Sequence, residues 1–76
     1  MHIRYSKQSI KFLKKQSEQV RRRIVNAIEM LPLGDVKKLQ GLDGYRLRVG
    51  DFRILFDYDG NIISIENIGN RGQIYK

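Results

Sequence analysis

The sequence predicts an α+β fold, with an initial strand followed by a helical hairpin packed on one face of a small antiparallel sheet. Three observations carry this reading. The stretch YRLRVGDFRILF, residues 45–56, is two alternating apolar runs meeting at Gly50-Asp51, a strong hairpin signal. A second tight-turn signal, Asp59-Gly60-Asn61, leads from it into a further apolar run, IISIENI. Ahead of both, residues 7–31 carry helical periodicity introduced twice by a serine. A chain of 76 residues makes one domain, 1–76, with a modest core.

Taken in order, HIRY at residues 2–5 is short and alternating and reads as the first strand. Ser6 is a suitable N-cap for a helix over 7–16, whose apolar side is Ile10 and Leu13 with Phe12 beside them. Lys7, Lys11, Lys14 and Lys15 recur at i, i+4, i+7, i+8 and so gather on one face. Such a stripe is either a plain solvated face or a contact surface for a phosphate backbone. Ser17 caps a second helix over 18–31. There Val20, Ile24, Ala27, Ile28 and Leu31 form the apolar line, and Glu18 suits the positive end of the helix dipole. Arg21, Arg22 and Arg23 fall mostly off that line, and Pro32 ends the helix.

Residues 33–44 read as a loop punctuated by Gly34, Gly41 and Gly44, with Leu39 and Leu42 anchoring it to the core edge. If Gly50 and Asp51 form the hairpin turn, Val49 faces Phe52, Arg48 faces Arg53, Leu47 faces Ile54 and Tyr45 faces Phe56. One side of the hairpin then carries only apolar and aromatic residues. The second turn, in either of its two registers, puts Ile63 and Ile65 on that same side. Two independent turns agree, which supports an antiparallel meander. The last stretch, GNRGQIYK, is a glycine-bracketed turn followed by a short terminal segment.

Composition narrows the chemistry. The absence of cysteine excludes thiolate sites, and the one histidine, His2, at the amino end argues against a histidine metal site or a Ser-His nucleophile pair. No metal or other cofactor is expected. No apolar run is long enough to cross a bilayer, and MHIRYSKQ lacks a signal-peptide hydrophobic region, so the expected location is the cytoplasm, with no membrane partner. A formal net charge of +7 favours a polyanionic partner.

The hairpin's other side carries Arg46, Arg48 and Arg53, with Arg48 and Arg53 directly opposed. Like charges opposed across a ladder are destabilising, so the cluster reads as an anion site. The plainer alternative is a solubilising face partly neutralised by Glu66 or Asp57. Arg71, from the closing turn, makes a fourth arginine able to reach this uncovered face, with Tyr75 and Tyr45 as aromatics for base stacking. Arginine grips phosphate with a planar fork and stays protonated, which suits charge developing on phosphorus and makes it a poor proton shuttle. Metal-free RNA cleavage needs an aligned 2′-hydroxyl, neutralisation of the added charge and movement of protons. The arginines can supply the first two, and Tyr75 is the best side chain for the third.

The runs YRLRVGDFRILF and IENIGNRGQIYK resemble the RelE/ParE superfamily of type II toxin–antitoxin toxins, especially its RelE-like branch. The resemblance spans nearly the whole chain. It implies the RelE-like microbial ribonuclease-type fold and a ribosome-dependent endoribonuclease that cuts mRNA in the ribosomal A site and is neutralised by a cognate antitoxin. Arg46 and Arg48 match basic residues that position mRNA, Arg53 and Arg71 match arginines that stabilise the cleaved phosphate, and Tyr75 matches a tyrosine that stacks on a base or assists proton transfer. The implied catalytic set is Arg48, Arg53, Arg71 and Tyr75. Asn70 stands where many relatives carry His or Lys. Two alternatives remain: a ParE-like inhibitor of DNA gyrase, and a basic binding module without catalysis.

Overall fold

The computed structural model describes residues 2–70. Its elements are β1 (His2–Tyr5), α1 (Lys7–Lys14), α2 (Glu18–Glu29), β2 (Asp35–Lys38), β3 (Tyr45–Val49), β4 (Phe52–Tyr58) and β5 (Ile62–Asn70). The five strands form one sheet in the order β1-β5-β4-β3-β2. From β2 to β5 the sheet is an antiparallel meander, but β1 lies parallel to β5, with His2 beside Ile62 and Tyr5 beside Ile65. The sheet is therefore mixed rather than purely antiparallel. Its topology also explains the helices. The chain leaves β1 at one edge and re-enters at β2 on the opposite edge, so α1 and α2 must carry it across one face.

Both predicted caps form. Ser6 Oγ accepts the Ser9 N–H at 3.1 Å and Ser17 Oγ accepts the Val20 N–H at 3.2 Å, each satisfying an otherwise unpaired helix donor. Each helix closes about two residues earlier than the periodicity suggests, because its last turn tightens. Lys15 N–H bonds to Phe12 O and Leu31 N–H to Ile28 O, both i to i−3. The apolar line of α2 packs as expected, with Ile24 and Ile28 fully buried. On α1 the inward line is Ser9, Phe12 and Leu13, while Ile10 stays exposed. Ser9 is fully buried, and its hydroxyl donates to Ile65 O at 3.4 Å. That small side chain lets α1 sit close against β5.

The β3–β4 hairpin has the predicted pairing at every position, from Val49 opposite Phe52 to Tyr45 opposite Phe56. Gly50 turns with φ +57°, a left-handed geometry that favours glycine. The next turn takes the Gly60-Asn61 register, which places Tyr58 opposite Ile63. Asp59 Oδ1 accepts the N–H groups of Asn61 and Ile62 at 2.9 and 2.8 Å, and those bonds hold its carboxyl below the usual carboxylate range. Further along β5 the register shifts at Leu55/Phe56, where Phe56 pairs with Ile65 and Leu55 with Asn67, leaving Glu66 as a bulge. The extra residue resets the alternation, so Ile68 joins Ile63 and Ile65 in the core.

Residues 33–44 are not all loop. Asp35–Lys38 pairs with β3 as the edge strand. Leu39 is half-buried, whereas Leu42 is 62% exposed and anchors nothing.

Candidate functional site

Strand alternation gives the sheet two different faces. Leu47, Val49, Ile54, Phe56, Ile63, Ile65 and Ile68 point to the helices and form the core with Leu13, Ile24, Ile28 and Leu31. Among the described residues, no helix covers the opposite face. There Asp35, Arg48, Arg53 and Gly69 stand in one row across four strands, and Lys37, Arg46, Leu55 and Asn67 in the next. The structure thus brings Arg46, Arg48 and Arg53 together, with Arg48 and Arg53 directly opposed.

The three arginines are not equivalent. Arg53 is only 8% exposed. Its Nη1 donates to Gly50 O and to Phe52 O, each at 2.9 Å, so the guanidinium folds back on the hairpin turn. These bonds pin the charge, and no acid pairs with it among the described residues. Gly69, opposite Arg53, contributes no side chain to the row. The Arg46 side chain is 12% exposed, while that of Arg48 is 52% exposed and reaches furthest into solvent.

Neutralisation comes from an unexpected acid. Asp35 Oδ2 accepts from Arg48 Nε at 2.5 Å, and Asp35 Oδ1 lies 3.6 Å from Arg46 Nη2. Glu66 and Asp57 pair with no arginine among the described residues; Asp57 Oδ1 instead accepts the Tyr58 N–H at 2.9 Å. Asp35 lies in a stretch that reads as loop from sequence, although the structure makes it a strand. The available signal was the alternation of Asp35-Val36-Lys37 between two faces, with Val36 packing on the core.

A further cation flanks the hairpin turn. A Cβ placed on Gly50 would stand 2.7 Å from Arg23 Nη2, so the Arg23 guanidinium of α2 lies against the turn whose carbonyl Arg53 grips. Arg21 serves structure instead, donating to Leu13 O and Gln16 O at 3.3 and 3.4 Å across the helix junction.

The remaining expected residues divide. Lys7, Lys11, Lys14 and Lys15 are all exposed, but α1 lies on the covered face, so they are separate from the arginine cluster. Tyr45 points to the covered side and stacks on Phe56 at 5.5 Å between ring centroids, so its ring does not serve the open face. Arg71 and Tyr75 lie outside the described residues. Asn70 pairs with Phe52, one position beyond the Arg53–Gly69 pair. Among the described residues, no three His, Cys, Asp or Glu side chains gather as metal ligands, and no helix is long and apolar enough to cross a membrane. What the described face offers is fixed guanidinium charge, able to bind and orient phosphate and to stabilise charge developing on it.

The fold is similar to the crystal structure of a RelB–RelE antitoxin–toxin complex from Methanococcus jannaschii. The TM-score is 0.76 and the identity 30%, over 96% of this chain and 95% of that one. It is also similar to a RelE–RelB complex from Pyrococcus horikoshii, with TM-score 0.73 and 28% identity over 95% and 96% of the two chains. The RelBE2 complex from Mycobacterium tuberculosis shares the fold, with TM-score 0.69 and 18% identity over 92% and 96%. No curated protein sequence matches. The family model for the ParE toxin of the type II toxin–antitoxin system parDE matches residues 3–75. The chain belongs to the RelE/ParE superfamily of type II toxin–antitoxin toxins.

Proposed function

We propose that this toxin is a ribosome-dependent endoribonuclease of the RelE kind, cutting mRNA in the ribosomal A site by metal-free attack of the 2′-hydroxyl. The observation that carries the reading is the open face, where Arg46, Arg48 and Arg53 occupy neighbouring positions on two paired strands. The identity to the two archaeal RelE–RelB structures supports it. In this reading Arg53, fixed by its two carbonyl bonds, stabilises the scissile phosphate together with Arg71, and Arg46 and Arg48 hold the mRNA. Tyr75 stacks on a base or assists proton transfer. The lysines of α1, on the other side of the sheet, contact a separate stretch of RNA backbone. A cognate antitoxin neutralises the protein in the cytoplasm, as the antitoxin-bound state of the related structures suggests.

The test is primer extension on a reporter mRNA in a reconstituted translation system, with a control lacking ribosomes. Codon-phased cuts that require ribosomes are expected. The family model that matches is described as a ParE toxin, so gyrase inhibition is the second reading. Intact mRNA together with loss of gyrase supercoiling would replace the first with the second.

A further inference from the structure

Asp35 is the one acid among the described residues whose carboxylate reaches the open-face arginines. It sits on the edge strand β2, in register with Arg48. One oxygen accepts from Arg48 Nε and the other lies near Arg46 Nη2, so the carboxylate bridges two guanidinium groups. That is the arrangement two oxygens of a phosphodiester would adopt on the same pair. The partners differ in how firmly they are held. The side chain of Arg46 is 12% exposed, whereas Arg48 and Asp35 are 52% and 38% exposed. A contact this open to water is weak and exchangeable.

We propose that Asp35 is a built-in competitor of RNA phosphate for Arg48. In the free protein it keeps the Arg48 guanidinium aligned and neutralised, and it yields that guanidinium when single-stranded RNA crosses the open face. Arg46, more buried and at longer range, keeps its place throughout. The inference rests on the reading of the open face as an RNA surface and adds to it a residue that limits affinity. Asp57 is the natural comparison. It also faces the open side, opposite Ser64, but its carboxylate is engaged by a backbone N–H and, among the described residues, pairs with no arginine. Removing either acid raises the formal charge from +7 by one, to +8, and only removing Asp35 releases Arg48.

The experiment is a titration of a fluorescent single-stranded oligoribonucleotide against the full chain, as wild type, Asp35→Asn and Asp57→Asn, at several salt concentrations. Asp35→Asn is expected to bind about three- to fivefold tighter at low salt, with a log K against log salt slope steeper by about 0.7, the value of one phosphate contact on a single strand. Asp57→Asn is expected to show less than half of either change. In an Arg48→Ala background the gain from Asp35→Asn should vanish, which ties the effect to that guanidinium. Equal effects of the two acids would overturn the proposal, as would a gain that survives Arg48→Ala or weaker binding by Asp35→Asn. If wild type shows no salt-dependent binding, the RNA reading of the face fails, and the competitor role fails with it. Wild-type binding with Asp35→Asn unchanged removes the competitor role alone.

Discussion

Gln8 grips Ile68 with both ends of its side-chain amide: Nε2 donates to Ile68 O at 2.8 Å, and Oε1 accepts the Ile68 N–H at 2.9 Å. The amide thus continues the hydrogen-bonding edge that β1 offers to β5 after β1 itself has ended at Tyr5. Ser6 fills the gap between them, its N–H donating to Ile65 O and its hydroxyl to Glu66 O.

Gln8→Ala removes both bonds and leaves two backbone groups of β5 without partners. A loss of about 1–2 kcal/mol is expected, lowering Tm by roughly 4–8 °C per kcal/mol in a chain of this size. Thermal unfolding followed by circular dichroism measures it, and an unchanged Tm would show that the grip contributes nothing.

Arg48 and Arg53 should separate activity from stability. Arg48→Ala is expected to reduce mRNA cleavage at least tenfold while changing stability by no more than about 1 kcal/mol, since its ion pair is exposed. Arg53→Ala is expected to lose cleavage and also about 1–2 kcal/mol, because two carbonyl bonds go with it. Arg53→Lys keeps the charge without the planar fork and should rescue neither fully. Folded Arg53→Ala protein that cuts mRNA at the wild-type rate would remove Arg53 from the mechanism.

Gly50→Ala combines a left-handed backbone with a Cβ 2.7 Å from Arg23 Nη2. The flexible guanidinium can move aside, so the backbone sets the cost, about 1–2 kcal/mol. Gly50→Asn, which tolerates this geometry better, should cost less. Urea denaturation of the two variants decides the order.

Burial pushes the Tyr5 hydroxyl above its ordinary value of 10.0, and the nearby Glu29 carboxylate adds to the shift. The protonated phenol is the neutral form, so the folded state holds this proton more tightly than the unfolded chain. The corresponding stability is fully present below the unfolded value and is lost as pH rises through the higher folded one. As pH rises through and above the ordinary tyrosine value of 10.0, Tyr5→Phe should therefore lose less stability than wild type. Parallel denaturation curves would show that Tyr5 contributes nothing to alkaline unfolding.

Much of this fold was legible where local chemistry decides it. Ser6 and Ser17 announce their helices, and the Gly50 turn sets the register of Arg48 against Arg53. What local pattern misses depends on distant partners. Asp35–Lys38 is a strand because β3 lies beside it; four residues with three charges carry no strong strand signal. The parallel docking of β1 depends on residues some sixty positions away, as in His2 beside Ile62. The place of Ile68 in the core depends on the bulge at Glu66. The candidate site divides the same way. The arginines could be placed on one face from alternation alone, but that Arg53 turns back onto Gly50 O and that Asp35 bridges Arg46 and Arg48 follow from contacts between segments.

The parallel pairing of β1 with β5 has a consequence for synthesis. A nascent chain that has emerged only as far as β4 already contains Arg46, Arg48 and Arg53, but the strand that separates β1 from β4 in the sheet is still missing. The helices then have only part of the surface they pack against, and closing the loop between β1 and β5 is among the costliest contacts in the chain to form. The sheet can be completed only once β5 has been made and has emerged, so the arginine face takes its final form after the arginines themselves are in place in the chain.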